Sequence, residues 1–481
     1  MTKTQKNLIY QGFYQILIII LPIVTAPYVS RILGTEGIGE YSYSYSVANY
    51  FVIFAMLGIN NYGSRMIAIE KRHQESLNKS FSNLYMLHLI ISIIVIVIYF
   101  IYILLRPGNK CNALLSAFYL FGALLDINWL FWGLEELKIT VTRNTLLRIA
   151  TIFLVFIFVK QTNDTWKYIL ILALSNCLSQ LILWKGALKR VQFVKPTFHD
   201  MKIHLKPLLV LFVPVIAVSF YKILDKIMLN SLAGVNQVGL YENAEKIINI
   251  PMGLITAVGT VMLPKATSLV SECNEYAVKK SISVTMNYVM ILAFALMFGL
   301  MAISKDFAIL FFGDSFSDTG LMIFGLALTI PFVSFASIIR TQYLIPKDCV
   351  SIYIGSVFAG AVVNVIVNLL LIPIYLGNGA VIGTVLAEFI VFIVQTLAVR
   401  KEIPSFQYLY NSLPYMIIGL VMYFCVKVVA HIIDHSVLLL LVQVILGVII
   451  YSTLTFYILF KKEDETLSNF LSSIKIIRRK D

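Results

Sequence analysis

Two apolar stretches of this 481-residue chain carry six ionisable side chains: Lys222, Asp225 and Lys226 in the first, Glu242, Glu245 and Lys246 in the second. A charge at the centre of a bilayer costs about 2.5–3.5 kcal/mol on insertion scales, so charges persist there only where they face protein or water. Such groups mark the paths of ions and substrates. The spacing i, i+3, i+4 puts Lys222, Asp225 and Lys226 on one helix face, and Glu242 and Lys246 form an i, i+4 pair with the acid first. Two adjacent antiparallel helices could interleave all six. Three readings are open: a substrate or ion site, a static ion-pair network that locks two helices, or an outer loop. The loop reading leaves only the 15 residues from Pro207 to Tyr221 for a crossing that needs about 20.

Other charges within apolar segments are scattered. Asp126 and Arg148 lie on successive segments and are placed to pair with each other. Arg143 sits nearer the surface, as a snorkelling orientation signal, and Arg340 reads either as snorkelling or as a cation for a substrate. Trp129 and Trp132 fit an interfacial belt or a substrate wall, the belt being the simpler. Glu388 has no basic residue in its own segment. It is either a protonatable coupling site for H+ or Na+, or a structural hydrogen-bond partner of Asn364 or Asn368. His431 and His435 straddle a loop, and His199 and His204 lie in another, so no metal site is expected. The five cysteines are single and widely spaced, which supports neither disulfide nor zinc chemistry. No P-loop glycine pattern is present.

The elements that must hold these groups follow from composition. The chain is 59% hydrophobic and 13% charged, with mean hydropathy +0.85; soluble domains run about 25% charged. Apolar stretches near the roughly 20 residues of a crossing recur throughout. We expect an all-α polytopic membrane protein with fourteen spans, including 113–134, 207–229, 238–263 and 320–344. The first run, Leu8 to Leu33, is too long for a signal-peptide core and reads as a retained helix. Lys and Arg concentrate on alternate connections, which puts both termini in the cytoplasm and argues that the net charge of +13 serves topology rather than nucleic acid. The basic tail reads either as an amphipathic surface helix on anionic lipid or as a frayed end.

A repeat appears at an offset of 200. Ile32-x-Gly34-x3-Ile38-Gly39-x-Tyr41 matches Leu232-x-Gly234-x3-Val238-Gly239-x-Tyr241, each after a span with a proline, Pro22 or Pro214. The glycines suit a tight outer turn with positive φ. Two parallel six-helix lobes are expected, 1–185 and 207–400, joined by a basic linker 186–206, followed by two further spans in 401–460 and the tail 461–481.

Three segments then resemble a known family: Phe220-Tyr221-Lys222-Ile223-Leu224-Asp225-Lys226, Gly239-Leu240-Tyr241-Glu242-Asn243-Ala244-Glu245-Lys246, and Pro27-Tyr28-Val29-Ser30-Arg31-Ile32-Leu33-Gly34. They are similar to Wzx-type flippases, in the polysaccharide branch of the MOP exporter superfamily. The resemblance implies movement of polyprenyl-diphosphate-linked oligosaccharide repeat units from the inner to the outer leaflet, for capsule, exopolysaccharide or O-antigen assembly. It implies no enzyme activity and no cofactor, with H+ or Na+ coupling, and partners that include membrane lipid, a polymerase and glycosyltransferases. Lipid II flippases of the superfamily carry arginines inside the first helix; here none precedes Arg31, at the end of the first span. Chosen by depth, Arg148, Lys222, Lys226, Lys246 and Arg340 are the candidates for the diphosphate and sugar. Asp126, Asp225, Glu242 and Glu388 are those for ion coupling, and Pro22 and Pro214 for hinges. A multidrug antiporter would instead show acidic, aromatic walls. A polymerase or glycosyltransferase would carry larger outer loops.

Overall fold

The computed structural model describes residues 3–106, 110–430 and 437–461, with side chains from residue 21 onward except at 214, 217, 218 and 220–222. The histidines at 431 and 435 and the tail beyond 461 lie outside the described residues. No strand occurs among the described residues. The helices are α1 (Lys3–Met56), α2 (Ile59–Glu70), α3 (Gln74–Leu105), α4 (Cys111–Leu124), α5 (Asn128–Gly133), α6 (Leu137–Phe158), α7 (Thr165–Ala187) and α8 (Phe198–Ala233). They continue with α9 (Val235–Ser271), α10 (Glu275–Phe312), α11 (Thr319–Ala327), α12 (Thr329–Ile339), α13 (Val350–Tyr375), α14 (Gly377–Val399), α15 (Ser405–Val429) and α16 (Val437–Lys461).

Among the described residues, twelve stretches are long and apolar enough to cross a membrane. The first part of α1 and the 36-residue α8 supply the remaining two of the fourteen expected helices. At 1.5 Å per residue α8 runs about 54 Å, well beyond the roughly 30 Å hydrocarbon layer. The loop reading of Lys222–Lys226 is thereby corrected, since these residues lie inside one continuous helix.

Two of the expected spans are interrupted. The fourth breaks at 125–127, where Asp126 Oδ1 accepts the backbone N–H of Asn128 at 2.8 Å and starts α5 afresh. The tenth breaks at Leu328, three residues before Pro331, whose missing N–H would have bonded the carbonyl of Ala327. It then ends in a π-turn at Arg340–Leu344.

The chain forms two compact units, Met1–Glu242 and Asn243–Asp481. In the first, the repeat has a physical meaning. Gly34 has φ 66° and ψ −174°, and Gly234 has φ 88° and ψ 165°; both lie in backbone space open essentially to glycine alone. Gly39 and Gly239 serve a different purpose from the expected turn. They are helical, and a side chain on Gly39 would collide with the carbonyl oxygen of Val235, while one on Gly239 would collide with that of Thr35. Thr35 and Val235 are themselves 200 apart, so each copy presses its glycine against the same carbonyl of the other. Such reciprocity is the signature of a two-fold contact.

Elsewhere in this unit Trp129 is completely buried beside Phe81, Leu84 and Ile67, and Gly63 leaves room for its indole ring. Its indole N–H reaches the Asp126 carbonyl at 3.3 Å. The belt reading of Trp129 is thereby corrected, whereas Trp132 is 41% exposed. In the second unit α13 packs along α14 and α10 along α15. Asn364 and Asn368 are fully buried there and bonded to each other at 3.2 Å, and Gln395 reaches Ser356 at 2.9 Å.

Candidate functional site

The short break at Gly234 turns α8 back into α9, which brings Asp225 and Lys226 beside Tyr241 and Glu242. Lys226 Nζ stands 2.6 Å from Glu242 Oε2, and the two side chains are only 13% and 11% exposed. The same carboxylate oxygen accepts the hydroxyl of Ser42 at 2.6 Å. Ser42 is the residue that the offset of 200 equates with Glu242. One level away, the Tyr241 hydroxyl donates to Asp225 Oδ2 at 3.1 Å, and Asp225 is 2% exposed. A lysine ammonium and a serine hydroxyl thus converge on one carboxylate oxygen in a poorly solvated place, a charge-assisted arrangement.

A wall of phenols flanks this pair. Tyr41 meets Tyr168 edge-on at 4.8 Å, Tyr45 meets Tyr119 at 5.1 Å, and Tyr41 stacks on Tyr45 at 6.0 Å. Arg148, Lys226 and Glu242 all act electrostatically on Tyr45. Arg148 itself is exposed on α6. Tyr45 was legible as the counterpart of Glu245. Tyr119 and Tyr168 were not, since each lies among other aromatics of an apolar helix, Phe118 and Phe121 for one and Trp166 for the other, and only packing shows where its ring points.

Lys222 and Pro214 have their backbone in α8, and their side chains lie outside the described ones. Glu245 and Lys246 are half-buried in the second unit, where Lys246 Nζ donates to Asn243 Oδ1 at 3.4 Å. Pro22 is half-buried within α1. Arg340, in the π-turn, lies 5.2 Å over the Tyr353 ring and 3.3 Å from Ser337 Oγ. Glu388 is half-buried on α14.

Asp126 does not pair with Arg148 as expected. Its carboxylate holds the Asn128 amide at 2.9 and 3.0 Å and accepts from Gln180 at 3.3 Å. Arg143 completes the network through Asn128 at 3.0 Å, Gln180 at 3.2 Å and the Ser179 carbonyl at 2.8 Å. It is 6% exposed, so the snorkelling reading of Arg143 is also corrected. A planar guanidinium with five donors satisfies several acceptors at once, which a snorkelling side chain would leave to water.

A family described as "Polysaccharide biosynthesis protein" matches residues 4–269, more than half of the chain and all of the Ser42–Lys226–Glu242 constellation. The chain belongs to that family. A Shigella dysenteriae protein described as a candidate O-antigen transporter is 24% identical over 387 residues, 79% of this chain and 96% of that one. An Escherichia coli K12 protein with the same description is 26% identical over 269 residues, 55% of this chain and 65% of that one. Among solved structures, the lipid II flippase MurJ in an inward closed conformation superposes with a TM-score of 0.77 at 15% identity, covering 95% of this chain and 99% of MurJ. An inward-facing MATE multidrug transporter of the MOP superfamily gives 0.61 at 16% identity, covering 81% and 97%. At such identities the likeness is one of fold. This polysaccharide biosynthesis family member is therefore a multi-pass membrane protein with the fold of MOP-superfamily transporters.

Proposed function

We propose that the protein is a flippase that carries polyprenyl-diphosphate-linked oligosaccharide repeat units from the inner to the outer leaflet of a bacterial plasma membrane, with both termini cytoplasmic. The observation that carries this reading is the Lys226–Glu242–Ser42 constellation beside the tyrosine wall, in a family named for polysaccharide synthesis whose relatives are described as O-antigen transporters. Phosphate prefers Lys and Arg as partners. An arriving diphosphate competes with Glu242 for Lys226, and the freed carboxylate, now poorly solvated, takes up H+ or binds Na+. Anion release restores the pair. Aromatic faces beside it suit sugar rings, which present C–H groups to π-systems. Lys222, Lys246, Arg148 and Arg340 supply further cations. Asp225 and Glu388 are the other coupling carboxylates. Lobes 1–185 and 207–400 move by alternating access about Pro22 and Pro214. A polymerase and glycosyltransferases act before and after it. Purified protein in liposomes, assayed for leaflet transfer of a fluorescent lipid-linked oligosaccharide, tests this reading. Lys226→Gln should cut transfer at least tenfold; undiminished transfer with Lys226→Gln and Arg148→Gln combined would remove this site from the mechanism.

A further inference from the structure

A groove of about 660 Å³ opens in the first unit beside the ends of α3 and α8. Its polar lining is Tyr43, Tyr102, Arg106 and Asn230, and its apolar lining is Ile98, Ile101 and Leu105. The Arg106 guanidinium lies 4.9 Å over the Tyr43 ring, and the Tyr43 and Tyr102 hydroxyls stand 3.5 Å apart. Stacking engages the face of a guanidinium and leaves its N–H edge available. Among the described residues no carboxylate pairs with Arg106. The apolar lining faces outward, with Ile98 50%, Ile101 49% and Leu105 80% exposed. A planar cation held at the end of a membrane helix, with an open aliphatic ladder running from it along one face, matches an amphiphile whose head is an anion and whose tail is a hydrocarbon chain. Position adds to this: Tyr43 follows Ser42 directly, and Asn230 is one helical turn from Lys226. The groove therefore adjoins the buried Lys226–Glu242 pair.

We propose that this groove seats the phosphate headgroup of a membrane lipid, with Arg106 as its cation and the lipid chain lying along Ile98, Ile101 and Leu105. Resting on the flippase reading, its occupant in the transport cycle is the diphosphate of the lipid-linked saccharide as it leaves the Lys226 site. An anionic phospholipid shares the same chemistry.

Photolabelling of the full-length protein in liposomes tests the seat. Three diazirine probes are compared: a polyprenyl diphosphate, a phosphatidylglycerol, and a diacylglycerol that lacks phosphate. Labelling of the peptide that carries Ile98–Arg106 is read by mass spectrometry. Both phosphate probes are expected to label this peptide at least fivefold more in the wild type than in Arg106→Gln. Arg106→Lys and Tyr43→Leu should fall between, because each keeps only the charge or loses only the stack. The diacylglycerol probe should label all four proteins alike. Competition with unlabelled polyprenyl-diphosphate saccharide or with phosphatidylglycerol tells which source occupies the seat. Equal labelling of wild type and Arg106→Gln by the phosphate probes, or an equal fall with the neutral probe, overturns the proposal. Transfer measured in the same liposomes separates the two readings. Arg106-dependent labelling without transfer leaves the seat standing and the flippase reading lost; transfer with Arg106-independent labelling does the reverse.

Discussion

Residues 22–46 and 222–246 are two copies of one backbone device, and they differ in what they carry. Both place a positive-φ glycine between two helices, at Gly34 and Gly234. Both press a second glycine against a carbonyl of the other copy, at Gly39 and Gly239. Yet at matched positions the first copy offers Ser42, Tyr45 and Ser46 where the second offers Glu242, Glu245 and Lys246. The two-fold axis brings unlike residues face to face, so Ser42 donates to its own counterpart, Glu242. Symmetry serves the packing, and its loss supplies the buried charges at that contact. A scaffold needing only a helix–helix lock could have kept the same residues on both sides.

The largest effects should come from the shared part. Gly39→Leu and Gly239→Leu each push a side chain into backbone, which cannot yield as a flexible side chain can, and should cost on the order of 3 kcal/mol or abolish folding. The measurement is the monodisperse yield and thermal midpoint after detergent extraction. The milder Gly39→Ala and Gly239→Ala should behave alike. If one proves harmless and the other ruinous, the contact is not reciprocal.

The unlike part should show smaller and asymmetric effects. Glu242→Ala removes the buried carboxylate that pairs with Lys226 and should cost about 3 kcal/mol. Ser42→Ala removes one hydrogen bond and should cost about 1 kcal/mol. Replacing the pair with Lys226→Met and Glu242→Leu together should recover most of the stability while transport stays lost. The exchange Ser42→Glu with Glu242→Ser sharpens this further. Both residues reach the same point beside Lys226, so the exchanged protein should be more stable than Glu242→Ser alone. Failure of that rescue would place the residue 42 side chain farther from Lys226 than described.

How far the sequence reveals this arrangement depends on range. Helices, the repeat and the charged hairpin were legible because hydropathy, an offset of 200 and helical spacing are local signals. The Gly34–Gly234 pair was read rightly as turns, while Gly39 and Gly239 required the other copy's carbonyl to be seen. Arg143 and Trp129 were misread for the same reason. Each was judged by depth, and its partners, Asn128 and Gln180 for one and Phe81 for the other, come from other helices. The correction gives a prediction. Arg143→Gln strips donors from several buried acceptors and should cost about 2 kcal/mol. Arg148→Gln, at an exposed position, should leave the thermal midpoint unchanged and alter only transport. Equal destabilisation by both would return Arg148 to a structural role.

The smallest expected effect lies at the start of α8, where the copies differ again: His204 stands 200 residues from Thr4. His204 Nδ1 and the Tyr62 hydroxyl are 2.8 Å apart. Burial pushes the imidazole below the usual histidine range, with Asp200 working partly against that shift. Asp200 is itself paired with Lys79 at 2.9 Å, and that contact holds its carboxyl below the usual carboxylate range. As pH falls through the ordinary histidine value of about 6.5, the unfolded chain takes a proton before the folded one does. The contribution of His204 is therefore whole above that value and is lost as pH drops toward the folded pKa. The difference in thermal midpoint between wild type and His204→Gln should shrink between about pH 7 and pH 5. A difference that instead widens on acidification would mean that the folded protein stabilises the imidazolium. Asp200 would then outweigh burial, and the second copy would carry one more working charge than the first.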